Sequence, residues 1–260
     1  MLLTIDSGNT NIVFAVFDGE EKRVQWRAST DAKRTADEYA VWLTQLMALE
    51  RLSPADIDGA IIASVVPAVM YSLTTLCRRY FETEPMVVGD PGVDLGIEIR
   101  IRHPEQVGAD RLVNALAAHR RFGGPLIMID FGTATTFDVV AKDGAYEGGV
   151  IAPGVNESLV ALSNAAAKLP RIAIEKPPQQ VIGQGTVSAM QSGAFWGYVG
   201  LVEGLIERIR AEYGEALPVI ATGGLAALFV QATTKIDHVD PDINLRGLAQ
   251  IYAANKAARG

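Results

Sequence analysis

The sequence predicts an α/β protein made of two copies of one hairpin-led unit, and two observations carry that expectation. Leu2-Leu3-Thr4-Ile5-Asp6-Ser7-Gly8 returns as Leu126-Ile127-Met128-Ile129-Asp130-Phe131-Gly132, with Asp130 following Asp6 by 124 positions. Each copy then runs through hydroxyl or amide residues into a second strand that closes at an Asp-Gly turn, Asp18-Gly19 and Asp143-Gly144. Two apolar strands ending in Asp-x-Gly also arise by chance; the shared continuation to Asp-Gly favours duplication, with a cleft between the copies. A length of 260 residues suits one large domain or two of about 130. The expected division is 1–123 and 124–260, at Gly123-Gly124.

The elements follow in order. Leu2 to Ile5 reads as a strand, Asp6 to Asn11 as a polar turn, and Ile12 to Phe17 as a second strand. Thr35 to Leu52 reads as an amphipathic helix: Thr35 and Glu38 have capping-box spacing, and Tyr39, Trp42, Leu43, Leu46 and Met47 share a face. Ala60 to Val66 is a β-rich run that passes through Pro67 into a helix ending near Tyr80. Short extended pieces are expected at Met86–Val88 and Ile97–Ile101, the second alternating Ile97, Ile99 and Ile101 with charged residues. Ala109 to Arg121 is helical until Phe122-Gly123-Gly124-Pro125 stops it.

In the second half, Ala145 to Gly154 leads into a helix to about Ala166, and a connection holding Pro170, Pro177 and Pro178 follows. A long helix is expected from about Thr186 to Tyr213. Its glycines at 193, 197, 200 and 204 are costly there, so close packing against another helix is the expected compensation. Leu217 to Ala221 is a strand running into Thr222-Gly223-Gly224 and a short helix, and a last helix spans about Leu245 to Lys256.

Apolar residues make up 49% and charged residues 20%, which excludes disordered, collagen-like and coiled-coil architectures. A net charge of −7 argues against a broad grip on nucleic acid or anionic lipid, so neither is expected as a partner. The single cysteine, Cys77, excludes an intrachain disulfide and a cysteine metal cluster, and suits a reducing cytoplasm. Asp6 interrupts any secretory apolar run at the start. The longest charge-free stretch, Pro177 to Val202, is broken by glutamines and glycines, so no membrane span is expected. His103, His119 and His238 lack ligand spacing, Cys77 reads as a core residue, and Trp26, Trp42 and Trp196 read as packing residues.

Four segments can carry chemistry. In Asp6-Ser7-Gly8-Asn9-Thr10, glycine lets a backbone approach phosphate, hydroxyls and amides donate, and a carboxylate acts through Mg²⁺ or bound water. The other reading is a tight turn in which Asp6 and Asn9 bond local backbone. Asp130-Phe131-Gly132-Thr133-Ala134-Thr135-Thr136 repeats the arrangement with three threonines, against the alternative of a threonine-rich strand facing solvent. Thr222-Gly223-Gly224 opens a helix, as a phosphate- or base-facing turn or as a plain connection. Val107-Gly108-Ala109-Asp110-Arg111 starts a helix with an acid beside a base: Asp110 suits accepting a hydroxyl proton and Arg111 pairing with a carboxylate. Alternatively Asp110 stabilises the helix dipole and Arg111 is solvated. No Gly-Lys dipeptide and no Gly-x-Gly-x-x-Gly occur, which excludes a Walker A loop.

Asp-x-Gly-x-Thr, a second Asp-x-Gly-Thr and a late Thr-Gly-Gly together resemble the acetate-and-sugar-kinase, Hsp70 and actin superfamily. The resemblance narrows with Asp-Ser-Gly-Asn-Thr-Asn (6–11), Gly-Ala-Asp-Arg (108–111), Asp-Phe-Gly-Thr-Ala-Thr-Thr (130–136), Gly-Gly-Val-Ile-Ala-Pro-Gly (148–154) and Ala-Thr-Gly-Gly (221–224). In that order, over essentially the whole chain, they resemble type III pantothenate kinase. The resemblance implies two duplicated ribonuclease-H-like domains with ATP in the cleft, and ATP-dependent phosphorylation of pantothenate, the first step toward coenzyme A. It makes Asp110 the proton acceptor and Gly108, Ala109, Asp110 and Arg111 the pantothenate contacts, with Gly185-Thr186 helping to close that site. Asp6, Ser7, Gly8, Asn9, Thr10, Asn11, Ile12, Val13 and Thr133 would contact ATP. Asp6 would hold Mg²⁺ through water, Asp130 would ligate a monovalent cation, K⁺ or NH₄⁺, and the chain would be a homodimer. Where many members carry a substrate-contacting tyrosine, three residues before Pro104, this chain has Ile101. The alternative is a non-catalytic nucleotide-responsive regulator of the same fold; Asp110 and Arg111 favour the enzyme, because a switch needs no substrate base.

Overall fold

The computed structural model describes residues 1–166 and 168–259. Its first sheet is built from β1 (Leu2–Ser7), β2 (Asn11–Asp18), β3 (Glu21–Ser29), β4 (Gly59–Ser64) and β5 (Met86–Val87), in the order β3-β2-β1-β4-β5. The second is built from β6 (Leu126–Phe131), β7 (Ala134–Val140), β8 (Tyr146–Pro153), β9 (Val219–Thr222) and β10 (His238–Val239), in the order β8-β7-β6-β9-β10. The two orders correspond strand for strand. β1 pairs antiparallel with β2 and parallel with β4, as β6 pairs with β7 and β9. A register shift interrupts each hairpin at the same place, Val16/Phe17 and Val139/Val140. Both Asp-Gly turns occur, their glycines at φ +61° and +91°. The duplication read from the sequence is therefore a duplication of topology.

The chain forms two compact units, one comprising Met1–Glu98, Arg102–Ala117 and the residues from Asp242 on, the other Ile99–Ile101 and Ala118–Pro241. In the first, α1 (Ala36–Leu49) and α2 (Pro67–Tyr80) cover one face of the sheet, burying Tyr39, Leu43, Met47, Leu73 and Leu76 against Leu3, Ile5 and Phe14. Each such side chain contributes about 1.5–3 kcal/mol by leaving water. The expected capping box starts α1: Glu38 N donates to Thr35 Oγ1 and Thr35 N donates to Glu38 Oε2. The other face is covered by α3 (Ala109–Phe122) and α7 (Ile243–Arg259), where Val113, Leu116, Leu248 and Ile251 pack with Leu2, Phe17 and Ile61.

The expected division at Gly123-Gly124 is corrected here: α7 belongs with the first sheet rather than the second. Its apolar stripe is buried among first-sheet residues. Asn255 fastens its far end, accepting from Asp94 N (2.8 Å) and donating to Asp94 O (2.7 Å).

In the second unit, α4 (Val155–Ala165), α5 (Thr186–Tyr213) and α6 (Ala226–Phe229) supply the core that packs on Ile127, Ile129 and Phe131. Phe229 stacks between Phe131 and Phe195, at 5.3 and 5.4 Å between ring centres. Two expectations change in this unit. The alternating segment 97–101 alternates in exposure as predicted, but it forms only a β-bridge from Ile99 to Tyr146. Three of the α5 glycines are open, not packed against another helix: among the described residues, methyl groups on Gly193, Gly197 or Gly200 would meet nothing within 4 Å.

Candidate active site

In a sheet with parallel strands, ligand sites form at the strands' carboxyl ends. β1 and β4 run parallel, and their ends meet at the Ser7–Ser64 register. Here the chain departs into the Gly8–Thr10 turn. Gly8 N donates to Asn11 O (3.0 Å), Thr30 Oγ1 donates to Gly8 O (2.6 Å) and Thr30 N donates to Thr10 O (3.0 Å). The turn's carbonyls are thus tied inward, while Asn9, Thr10 and Asn11 are exposed. Among the described residues a methyl group on Gly8 would meet only Asn11 O, at an ordinary 3.5 Å. The turn does not demand a glycine, and the bare position leaves room for an approaching group. Asp6 is half-buried. Ser7 is buried, and its Oγ has no hydrogen-bond partner among the described residues. A buried hydroxyl left unpaired is costly, so this orphan suits a ligand or its hydrated cation.

Ser7 also leads to the Gly108–Arg111 turn. Val65 N donates to Ser7 O (3.1 Å), and the Val65 side chain lies 3.8 Å from where a Gly108 methyl would stand. The same methyl would sit 2.5 Å from Asp110 Oδ1. Glycine therefore leaves the space that the Asp110 carboxylate occupies. Arg111 N donates to Asp110 Oδ1 (2.9 Å) and to Gly108 O (3.1 Å), which fixes the carboxylate at the first turn of α3. The first unit thus brings the 6–11 turn and Asp110 together through Val65. Ile12 and Val13 are strand residues: Ile12 is in the core shared with α1, and Val13 packs beside the α3–α7 cluster. A contact from Ile12 to nucleotide is left to its backbone.

The second unit repeats the geometry at the ends of β6 and β9, where Asp130 registers with Thr222. Gly223 has φ +93°, and a methyl there would sit 2.5 Å from Asp130 Oδ1 and 2.6 Å from Phe131 N and O. Gly223 thus leaves the space that the Asp130 carboxylate and the Phe131 backbone occupy, and that carboxylate with the neighbouring Phe131 carbonyl is an oxygen pair of the kind a weakly charged cation takes. Thr133 is exposed at the turn between β6 and β7. Below the turn, Gly154 N donates to Thr133 O (3.0 Å). Thr135 is buried, so β7 is not a threonine strand facing solvent. Thr186 opens α5 and is exposed, with Ser188 Oγ accepting from Gly185 N (3.1 Å). The sequence reading missed Thr30 and Val65, which hold the first loop, and marked Gly154 only as the end of the 148–154 motif, without its bond to Thr133. Each reaches its partner across strands, so no local pattern marks the bond.

Two similar units with a carboxylate and a glycine turn at matching strand ends define a protein of the actin-like ATPase and sugar-kinase fold class. Solved structures agree in fold. One is a Campylobacter jejuni protein named for the Baf transcriptional-activator family (17% identical, TM-score 0.63, 98% of this chain and 99% of that one). Another is (R)-2-hydroxyglutaryl-CoA dehydratase component A of Acidaminococcus fermentans (13% identical, TM-score 0.56, 99% and 98%). The family model of type III pantothenate kinase matches residues 2–208. Curated type III pantothenate kinases from Paramagnetospirillum magneticum and Rhodospirillum rubrum are 65% and 62% identical, covering 98% of this chain and 98% and 99% of theirs. The chain belongs to the type III pantothenate kinase family.

Proposed function

We propose that this chain transfers the γ-phosphoryl group of ATP to the primary alcohol of pantothenate, yielding 4'-phosphopantothenate and ADP, the first step of coenzyme A biosynthesis. The observation that carries the proposal is the Asp110 carboxylate, fixed at the start of α3 and joined through Val65 to the Ser7 loop. As the alcohol oxygen bonds to phosphorus, the bond from phosphorus to the β,γ-bridging oxygen breaks and Asp110 takes the hydroxyl proton. Gly108, Ala109 and Arg111 hold pantothenate, with Arg111 on its carboxylate, and Thr186 helps close the site. Residues 6–13 and Thr133 hold ATP. A divalent cation accompanying ATP, which we take to be Mg²⁺, would be held through water by Asp6 and would neutralise phosphate charge. Asp130 would ligate K⁺ or NH₄⁺.

We further assign the enzyme to the cytoplasm, where its one buried free thiol is at home. As a homodimer it would use the open glycine face of α5. Light scattering that finds a fully active monomer at micromolar concentration would remove the dimer. The function is tested by coupled ADP release with pantothenate, sugars and acetate in turn. Pantothenate should be the accepted substrate, and Asp110→Asn should lower kcat about 10²- to 10⁴-fold while ATP still binds. Sugar-dependent turnover, or an Asp110→Asn enzyme at the wild-type rate, would refute the assignment.

A further inference from the structure

The turn that carries Thr133 is held from beneath by a side chain to which nothing above gives a role. Tyr198 lies midway along α5 and is buried. Its hydroxyl hydrogen-bonds the Thr135 hydroxyl and the Pro153 carbonyl (3.0 Å). Thr135 is the second residue of β7, immediately after the turn, and Pro153 ends β8 opposite Ala134. Pro153 also precedes Gly154, whose amide holds Thr133 O. One phenol therefore ties β7, the strand that leaves the turn, and the end of β8 beside it to a 28-residue helix. Its ring is fixed too: it lies 5.1 Å from Phe229, which stacks on Phe131, the residue between Asp130 and Gly132. Burial raises the phenol above its ordinary value, so it stays protonated and able to donate.

A long helix, an aromatic stack and a shared hydroxyl are more anchorage than a surface turn needs for its own stability. They suit a turn whose backbone donors must already be in place when phosphate arrives, because preorganised donors cost nothing to reorganise during reaction. We propose that Tyr198 is a positioning residue for the nucleotide: through Thr135 and Pro153 it sets the Gly132–Thr133 turn against the triphosphate. This rests on the reading of that turn as a phosphate loop.

The test compares Tyr198→Phe, which keeps the ring, with Thr135→Val, Thr135→Ser and the double variant Tyr198→Phe/Thr135→Val. For each, the KM for ATP, the KM for pantothenate, and the Kd of the non-hydrolysable analogue AMPPNP with Mg²⁺ are measured on the full chain. Tyr198→Phe and Thr135→Val should each raise the ATP KM and the AMPPNP Kd about three- to tenfold, the effect of one hydrogen bond. The pantothenate KM should stay at the wild-type value. Thr135→Ser, which keeps the hydroxyl, should bind like wild type, and the double variant should be no worse than the poorer single one. Equal rises in both KM values, a lower melting temperature with unchanged binding, or a Thr135→Ser variant as impaired as Thr135→Val would each overturn the assignment. Should the wild-type chain release no ADP with pantothenate, the AMPPNP affinities still decide the role of Tyr198.

Discussion

Replacing Gly223 with alanine should unsettle the second unit where replacing its neighbour Gly224 should not. Gly223 has φ +93°, a conformation that costs a non-glycine residue about 1–3 kcal/mol. Its methyl would also press on Phe131 N and O at 2.6 Å. Those atoms belong to β6 and cannot swing aside as a flexible side chain can, so overpacking adds about 1–3 kcal/mol. The combined cost of about 2–6 kcal/mol is a large part of the 5–15 kcal/mol that typically holds a domain folded. A methyl on Gly224 meets nothing within 4 Å among the described residues, so its expected change is within about 0.5 kcal/mol. Urea unfolding followed by circular dichroism measures both. Because the clash at Gly223 also reaches Asp130 Oδ1, the variant should respond less to K⁺ than wild type. Equal stability of the two variants would refute the steric reasoning.

Arg111→Met should mainly harm pantothenate use, raising its KM about 10- to 100-fold, since hydrogen bonds to a charged group are worth about 1.5–3 kcal/mol. Wild-type enzyme that handles pantothenate and its uncharged alcohol analogue alike would contradict that role. Turnover with Mg²⁺-ATP should be greater in KCl or NH₄Cl than in NaCl at equal ionic strength, and Asp130→Asn should lose the difference; equal rates in all three salts would remove the monovalent-cation site. Burial pushes the Cys77 thiol up to about 12. A thiol reagent at pH 8 should therefore leave the folded chain unlabelled and modify one residue in guanidinium chloride, and rapid labelling of the native protein would show that α2 opens.

What was legible in the sequence was whatever local chemistry decides. Thr35 and Glu38 announce the start of α1 because a capping box needs only residues three apart. The repeated Asp-x-Gly turns announce the duplication because a strand ending and its turn are local too. β3, an edge strand, carries a period-2 pattern of its own, with Val24, Trp26 and Ala28 facing the core between exposed Arg23, Gln25 and Arg27, so its omission was not forced by the sequence. In the site, the residues bearing the expected chemistry were visible as motifs. Those that aim them were not: Thr30 reaches Gly8 from 22 residues away and Tyr198 reaches Thr135 from 63. A hydrogen bond between strangers in sequence leaves no spacing to recognise.

The misplacement of α7 has a different cause. Duplication makes two sheets of like order, and an amphipathic helix at the end of the chain carries no local mark of which it will cover. Hydrophobicity alone could place Leu245, Leu248 and Ile251 on either one. The choice is made by shape at two glycines. Gly247 lets α7 approach α3 so closely that a methyl there would stand 2.7 Å from Val113 O, and Gly59, opening β4, gives up its Cβ space to the Tyr252 ring. The reciprocal bonds between Asn255 and Asp94 then close the arrangement, since a buried amide placed on the other sheet would need both partners supplied again. Apolar pattern thus makes the helix, and close backbone approach together with one satisfied amide decides its address. The same helix, by packing on α3 beside Val113 and Ala117, braces the element whose first turn carries Asp110.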